Sequence, residues 1–180
     1  VEGQSQAAIV RLKLNALTGI HRVRVNPADG QVYATGLNGW NGVGRKGLSQ
    51  GHIHRFRYTG KPARLLTDTQ VRHNGLELKF NFKLDPKSAM NPASYQLRQW
   101  NYKWAASYGS KQYSPKSGKV GQDTVEISSV KLAKDGRSVL LQIPDIKPVN
   151  QVKMNLKLKS LDAESFNELV YLTINKVPKK

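Results

Sequence analysis

The sequence predicts an all-β fold, and three observations carry that prediction. Apolar and polar residues alternate with a period of two in segment after segment, the mark of half-buried strands. Gly, Pro, Asn and Asp punctuate those segments at turn positions. No amphipathic helix longer than a turn or two can be drawn.

In chain order, residues 7–14 (AAIVRLKL) alternate toward their end, with Val10, Leu12 and Leu14 opposing Arg11 and Lys13. That predicts a first strand. Ile20, Arg22 and Arg24 alternate with His21, Val23 and Val25, predicting a second. Pro27-Ala28-Asp29-Gly30 is a turn, and residues 31–35 form a short third strand. Glycines at 36, 39, 42, 44, 47 and 51 surround Trp40. Their spacing is too irregular for a dinucleotide or phosphate fingerprint, so this is a loop. Residues 52–59 (HIHRFRYT) form a fourth strand, and Gly60-Lys61-Pro62 breaks the chain. The boundary falls there. Residues 1–61 have the content of a propeller-blade-like antiparallel sheet, and a lone blade has nothing to bury its faces against.

In the second part, residues 62–180, Asn74-Gly75 is a hairpin turn signal. Leu76, Leu78, Phe80, Phe82 and Leu84 then alternate with Glu77, Lys79, Asn81 and Lys83. Burying five such side chains contributes about 1.5–3 kcal/mol each, and a one-residue slip would expose them all. Asp85-Pro86 ends that strand, and residues 87–92 read as a short helical turn. Tyr95, Leu97 and Gln99 begin another strand. Residues 124–132 form one with a phase slip at Ser128-Ser129, the mark of a bulge. Asp135-Gly136 turns the chain into a strand carrying Val139, Leu141 and Ile143. Val152, Met154, Leu156 and Leu158 line the next, and residues 169–177 close the sheet. About seven strands of this size and turn spacing predict an immunoglobulin-like antiparallel β-sandwich, preceded by the small blade-like sheet.

Composition narrows the chemistry. The absence of cysteine excludes disulfides, thiolate zinc sites, iron–sulfur clusters and covalent haem attachment within these residues. No apolar run approaches the ~18 residues of a membrane span. The chain begins at Val1 without a basic-then-apolar leader, which reads as a processed product or a piece of something longer. The net charge of +17 attracts polyanions: nucleic acid, acidic polysaccharide, anionic lipid or an acidic partner. It is spread along the chain, so a solvated, edge-protecting surface stands beside a functional polyanion site.

Residues 91–115 hold Trp100, Trp104, Tyr95, Tyr102, Tyr108 and Tyr113, in a chain only 8% aromatic. Six such rings do not all fit inside a small core. They meet another domain, stack on sugars, or stack on bases beside Arg98, Lys103 and Lys111. Catalytic signals are sparse. Asp85, Asp123, Asp135, Asp145 and Asp162 sit at turns or strand ends, and Glu77 and Glu126 lie on exposed faces, a poor match to a glycosidase pair. No Gly-x-Ser-x-Gly elbow or calcium loop occurs. His52 and His54 share a strand face, and His21 joins them if its strand is adjacent, a three-imidazole set suited to zinc or copper. The competing reading is ordinary strand histidines beside Arg55 and Arg57.

Leu84-Asp85-Pro86, Ala89, Asn91-Pro92-Ala93-Ser94-Tyr95 and residues 130–143 with their Asp135-Gly136 turn resemble bacterial Ig-like domains of the S-layer type. Over nearly the whole chain, residues 26–33, Thr35-Gly36-Leu37, Gly39-Trp40, residues 57–62, residues 99–104 and Tyr108-Gly109-Ser110 are similar to the C-terminal part of large exported bacterial proteins. Those carry a sugar-dehydrogenase-like β-propeller, often fused to c-type cytochrome modules. The resemblance implies a last propeller blade followed by an appended sandwich, located in the periplasm or outside the cell, with haem and redox chemistry elsewhere.

The expectation is a non-catalytic interaction module without a cofactor. It packs on an upstream β-propeller and binds carbohydrate or another polyanion. Trp40, Trp100, Tyr102, Trp104 and Tyr108 supply contact surface; Arg45, Lys46, Arg55, Arg57 and Lys103 supply charge. Two alternatives stand beside it: a fragment of a cytochrome-linked redox enzyme whose catalytic parts lie outside the chain, and a basic nucleic-acid-binding protein.

Overall fold

The computed structural model describes residues 3–10, 16–38, 47 and 49–179. The fold is all-β and antiparallel, in two compact units. One comprises Val1–Arg11 with Arg64–Lys180, the other Leu12–Ala63. The strands are β1 (Ala8–Val10), β2 (Gly19–Val25), β3 (Val32–Leu37), β4 (Gly51–Phe56), β5 (Leu66–Arg72), β6 (Gly75–Phe80), β7 (Tyr95–Trp100), β8 (Asp123–Thr124), β9 (Ser129–Leu132), β10 (Ser138–Gln142), β11 (Val149–Lys159) and β12 (Ser165–Ile174), with a helical turn, α1 (Pro86–Ala89), and a 3-10 turn at Pro92–Ser94. Among the described residues no helix is long and apolar enough to cross a membrane.

The larger unit is a two-sheet sandwich, ordered β1-β12-β11-β7-β8 and β5-β6-β10-β9. Alternation decides what faces inward. Leu76, Leu78 and Phe80 of β6 and Val139 and Leu141 of β10 meet Leu97 of β7, Met154, Leu156 and Leu158 of β11, and Val170 and Leu172 of β12 in one core. Phe82 is only half-buried, yet its ring packs 5.1 Å from Phe166, which stands edge-on to Phe80 at 5.7 Å. A register shift between Val149 and Val152 lets both face the core despite their odd spacing.

Asp85 opens the passage from β6 to β7. Its carboxylate accepts the Ser88 N–H at 2.8 Å as the helix cap, and that bond holds its pKa below the usual carboxylate range. Asn91 caps the next turn through the Ala93 N–H. The buried Tyr95 hydroxyl donates to the Ala89 carbonyl at 2.7 Å, and burial pushes its pKa up. Tyr95→Phe is expected to cost about 1–2 kcal/mol, because the corner loses a buried hydrogen bond. Urea unfolding should show the midpoint lowered with the slope unchanged.

Three expectations change at the level of detail. The predicted first strand is not in the small sheet: β1 pairs with β12 through Ala8↔Leu172 and Val10↔Val170, which covers an otherwise open edge. Residues 11–15, its expected continuation, lie outside the described residues. The phase slip at Ser128-Ser129 is a change of sheet and not a bulge. β8 pairs with β7, and after it the chain joins β10 in the other sheet as β9. Finally, the tight turn is His73-Asn74, with Gly75 already paired opposite Arg72.

The smaller unit is the three-stranded sheet β2-β3-β4. Asn26 and Gly30 close its first turn, Gly30 at φ +66° donating to the Asn26 carbonyl at 2.8 Å. Its rows run Val25–Val32–Phe56 and Val23–Ala34–His54 on one face, and Arg24–Tyr33–Arg55 and Arg22–Thr35–Ile53 on the other. The sheet is therefore amphipathic. Its apolar side is partly covered: Val23 is 49% and Val25 63% exposed, while Ala34 is buried and Val32, His54 and Phe56 are half-buried.

Candidate functional site: an aromatic loop on the sandwich

The segment between β7 and β8 is a long loop pinned at its base. Asn101 and Tyr113 exchange backbone hydrogen bonds of 2.8 and 2.9 Å. Asn101 and Asn150 are tied reciprocally: the Asn150 N–H donates to Asn101 Oδ1 at 2.9 Å, and the Tyr102 N–H donates to Asn150 Oδ1 at 2.8 Å. Farther out, the Lys103 N–H donates to Ser110 Oγ at 2.9 Å. Lys103 Nζ lies 4.3 Å above the Tyr113 ring and donates to the Gly118 carbonyl, a cation–π contact that fixes its stem. Beyond the loop, Asp123 accepts from Ser114 Oγ at 2.6 Å and from the Lys116 N–H at 2.9 Å.

This frame holds an open groove of about 620 Å³ lined by Tyr102, Lys103, Trp104, Tyr108, Ser110 and Asn150, among others. Trp104 and Tyr108 are fully exposed, at 102% and 101%, and Tyr102 is exposed at 45%. Leaving such rings in water forfeits the burial that normally stabilises a fold; a contiguous exposed apolar surface marks a contact site. No carboxylate or histidine lines the groove among the described residues, so it presents stacking faces, hydroxyl and amide groups and one cation.

The expected site residues separate as follows. Tyr102, Lys103, Trp104 and Tyr108 come together in the groove. Trp100 does not belong to its surface. It lies on the face of β7 opposite Leu97, is 3% exposed, and meets the edge of Tyr102 at 6.4 Å. Its buried Nε1 finds no acceptor among the described residues. It supports the loop and is not open to a ligand. Arg55 and Arg57 belong to the smaller unit, and Trp40, Arg45 and Lys46 lie outside the described residues.

His52 and His54 are neighbours on β4, their rings 4.8 Å apart. His54 Nε2 accepts the Leu17 N–H at 2.8 Å, which occupies the lone pair a metal would need. His21 falls in the register shift of β2 between Ile20 and Arg22. Among the described residues no group of three His, Asp or Glu side chains is placed to hold a metal ion.

Sequence reasoning missed the Asn101–Asn150 bracket. The two residues are 49 positions apart, and a lone asparagine near a strand end carries no periodic signal. No protein-family model, curated protein or solved structure matches the chain.

Proposed function

We propose that the chain is a non-catalytic interaction module of an exported bacterial protein, with an immunoglobulin-like sandwich that binds carbohydrate through the Tyr102–Trp104–Tyr108 groove. The observation that carries this reading is the pair of fully exposed rings held around one open groove by a hydrogen-bonded base. Exposed aromatic faces flanked by hydroxyl and amide groups suit a pyranose, which has one apolar face and a rim of hydroxyls. The sheet order supports the Ig-like assignment. β5-β6-β10-β9 against β12-β11-β7-β8 has the ABED and GFC-type arrangement.

The smaller sheet supports packing on a propeller of the same parent protein. Three strands with Val23 and Val25 exposed on the apolar side fit the partner-dependent burial of a terminal blade. Arg45, Lys46, Arg55, Arg57 and Lys103 add attraction for acidic ligands.

A panel of neutral oligosaccharides titrated against the chain tests the groove, with isothermal titration calorimetry as the readout. Trp104→Ala and Tyr108→Ala are each expected to weaken a bound glycan about tenfold, the loss of one stacking face. Undiminished binding in both variants, or no glycan bound at all, overturns the reading.

A further inference from the structure

The smaller sheet carries a concentration of positive charge on its polar face. In the antiparallel register Arg24, Tyr33 and Arg55 form one row across three strands, and Arg22 begins the next. Side chains opposite one another in a ladder share a face, so Arg22, Arg24 and Arg55 project from the same side. Strand geometry sets Arg24 and Arg55 about 10 Å apart across the sheet and Arg22 about 7 Å along β2 from Arg24. All three are exposed. None forms an ion pair among the described residues, whereas Arg64 and Arg72 of the sandwich pair with Asp162 and Glu77.

The unit has little with which to neutralise them. Residues 12–63 contain five Arg and three Lys against one acid, Asp29, a balance of +7. Asp29 accepts the Gln31 N–H at 2.9 Å and the Tyr33 hydroxyl at 2.8 Å; those bonds first, and the Arg55 charge to a lesser extent, hold its carboxyl below the usual range, so this one acid offsets part of one charge in the row. The residue type is also selective. Outside this unit 16 of 21 basic residues are lysine, and inside it five of eight are arginine. Solubility is served by either cation, but only the guanidinium fork grips an oxyanion through two parallel hydrogen bonds. Like charges gathered on one face repel, and an anionic chain laid across them removes that cost.

We propose that this arginine face is a binding site for an acidic polysaccharide, whose carboxylate or sulfate groups are held by Arg22, Arg24 and Arg55. The face favours a glycan over a single-stranded nucleic acid. Tyr33, the aromatic residue in its rows, is half-buried with its hydroxyl tied to Asp29, so no open ring is offered for base stacking. The site stands independently of the aromatic groove on the sandwich.

The test measures binding of the chain to heparin, to polygalacturonate and to a single-stranded DNA oligonucleotide over a range of salt. The Arg22→Gln/Arg24→Gln/Arg55→Gln variant is expected to weaken heparin binding about tenfold or more at ~0.1 M salt and to flatten the salt dependence by two to three charges, roughly. Lys131→Gln/Lys134→Gln/Lys157→Gln removes the same charge from the sandwich and should change binding less than about twofold. The triple Arg→Lys variant keeps the charge and the sheet but removes the forks, and is expected to lose about threefold. Neutral oligosaccharides titrated against the same arginine variant report on the groove separately from this face. Equal losses in the arginine and lysine triples would reduce the effect to bulk charge and overturn the proposal. Tighter binding of the DNA than of either glycan would overturn it as well.

Discussion

Gly75→Ala is expected to destabilise the sandwich by about 3 kcal/mol or more, at the upper end of overpacking penalties. An added Cβ would sit 1.8 Å from the Leu141 carbonyl oxygen and 2.9 Å from its carbon. The obstacle is backbone in the neighbouring strand, so no rotamer change relieves it. Gly75 lies where three strands meet, opposite Arg72 in β5 and Gln142 in β10. Asn74 beside it accepts the Ile143 N–H at 2.9 Å and donates to the Gln142 side chain at 3.0 Å. Moving β10 away would break those bonds and open the core under Leu76 and Leu141. Against a total stability of about 5–15 kcal/mol, the loss is large. Denaturant unfolding followed by tryptophan fluorescence and far-UV circular dichroism measures it. A change below about 1 kcal/mol would show that the strands separate there at little cost.

That glycine shows how a sequence signal points to the right place for the wrong reason. Asn-Gly between two apolar runs reads as the pair of central turn residues. The hairpin is where the dipeptide marks it, but the turn is His73-Asn74, and Gly75 is needed for backbone approach and not for a positive φ. The alternation in β6, β10 and β11 was legible because burial on one face imposes a period of two, whatever the partner strands. Which sheet a strand joins is not encoded in that period. Residues 124–132 look like one interrupted strand, and β1 looks like a neighbour of β2, because alternation is the same in either sheet.

The candidate site was legible to a similar depth. The density of aromatics between β7 and β8 identified the loop, and Tyr102, Lys103, Trp104 and Tyr108 do converge there. The separation of Trp100 from its neighbours was not visible, because a sequence does not say which face of a terminal strand residue will be covered. The arginine face was half visible. Arg55 and Arg57 stood out as charge beside histidines, but Arg22 and Arg24 gain meaning only through the β2–β3–β4 register, which brings residues 31 positions apart into one row.

The same physical argument predicts a second large effect, confined to the smaller unit. Gly36→Ala would place a Cβ 1.5 Å from the Gly19 carbonyl oxygen and 2.6 Å from its carbon. The register shift between Ile20 and Arg22 lies alongside, and a strand that gains a residue there bends toward its neighbour. Gly36 is the central-strand residue onto which it bends, with His52 paired on the other side. A three-stranded sheet with a partly covered apolar face holds little stability in reserve, so a penalty of about 3 kcal/mol is expected to open it. The sandwich has its own core and should persist. Hydrogen exchange should then show protection lost over β2, β3 and β4 and retained over β6, β10 and β11. Gly51→Ala is the matched control: its added Cβ meets nothing closer than 3.8 Å, and a change within about 0.5 kcal/mol is expected. Loss of protection across both units in Gly36→Ala would mean that the sandwich draws its stability from the small sheet. Retained protection in β2 and β3 would mean that the close approach at Gly36 is not needed to hold them together.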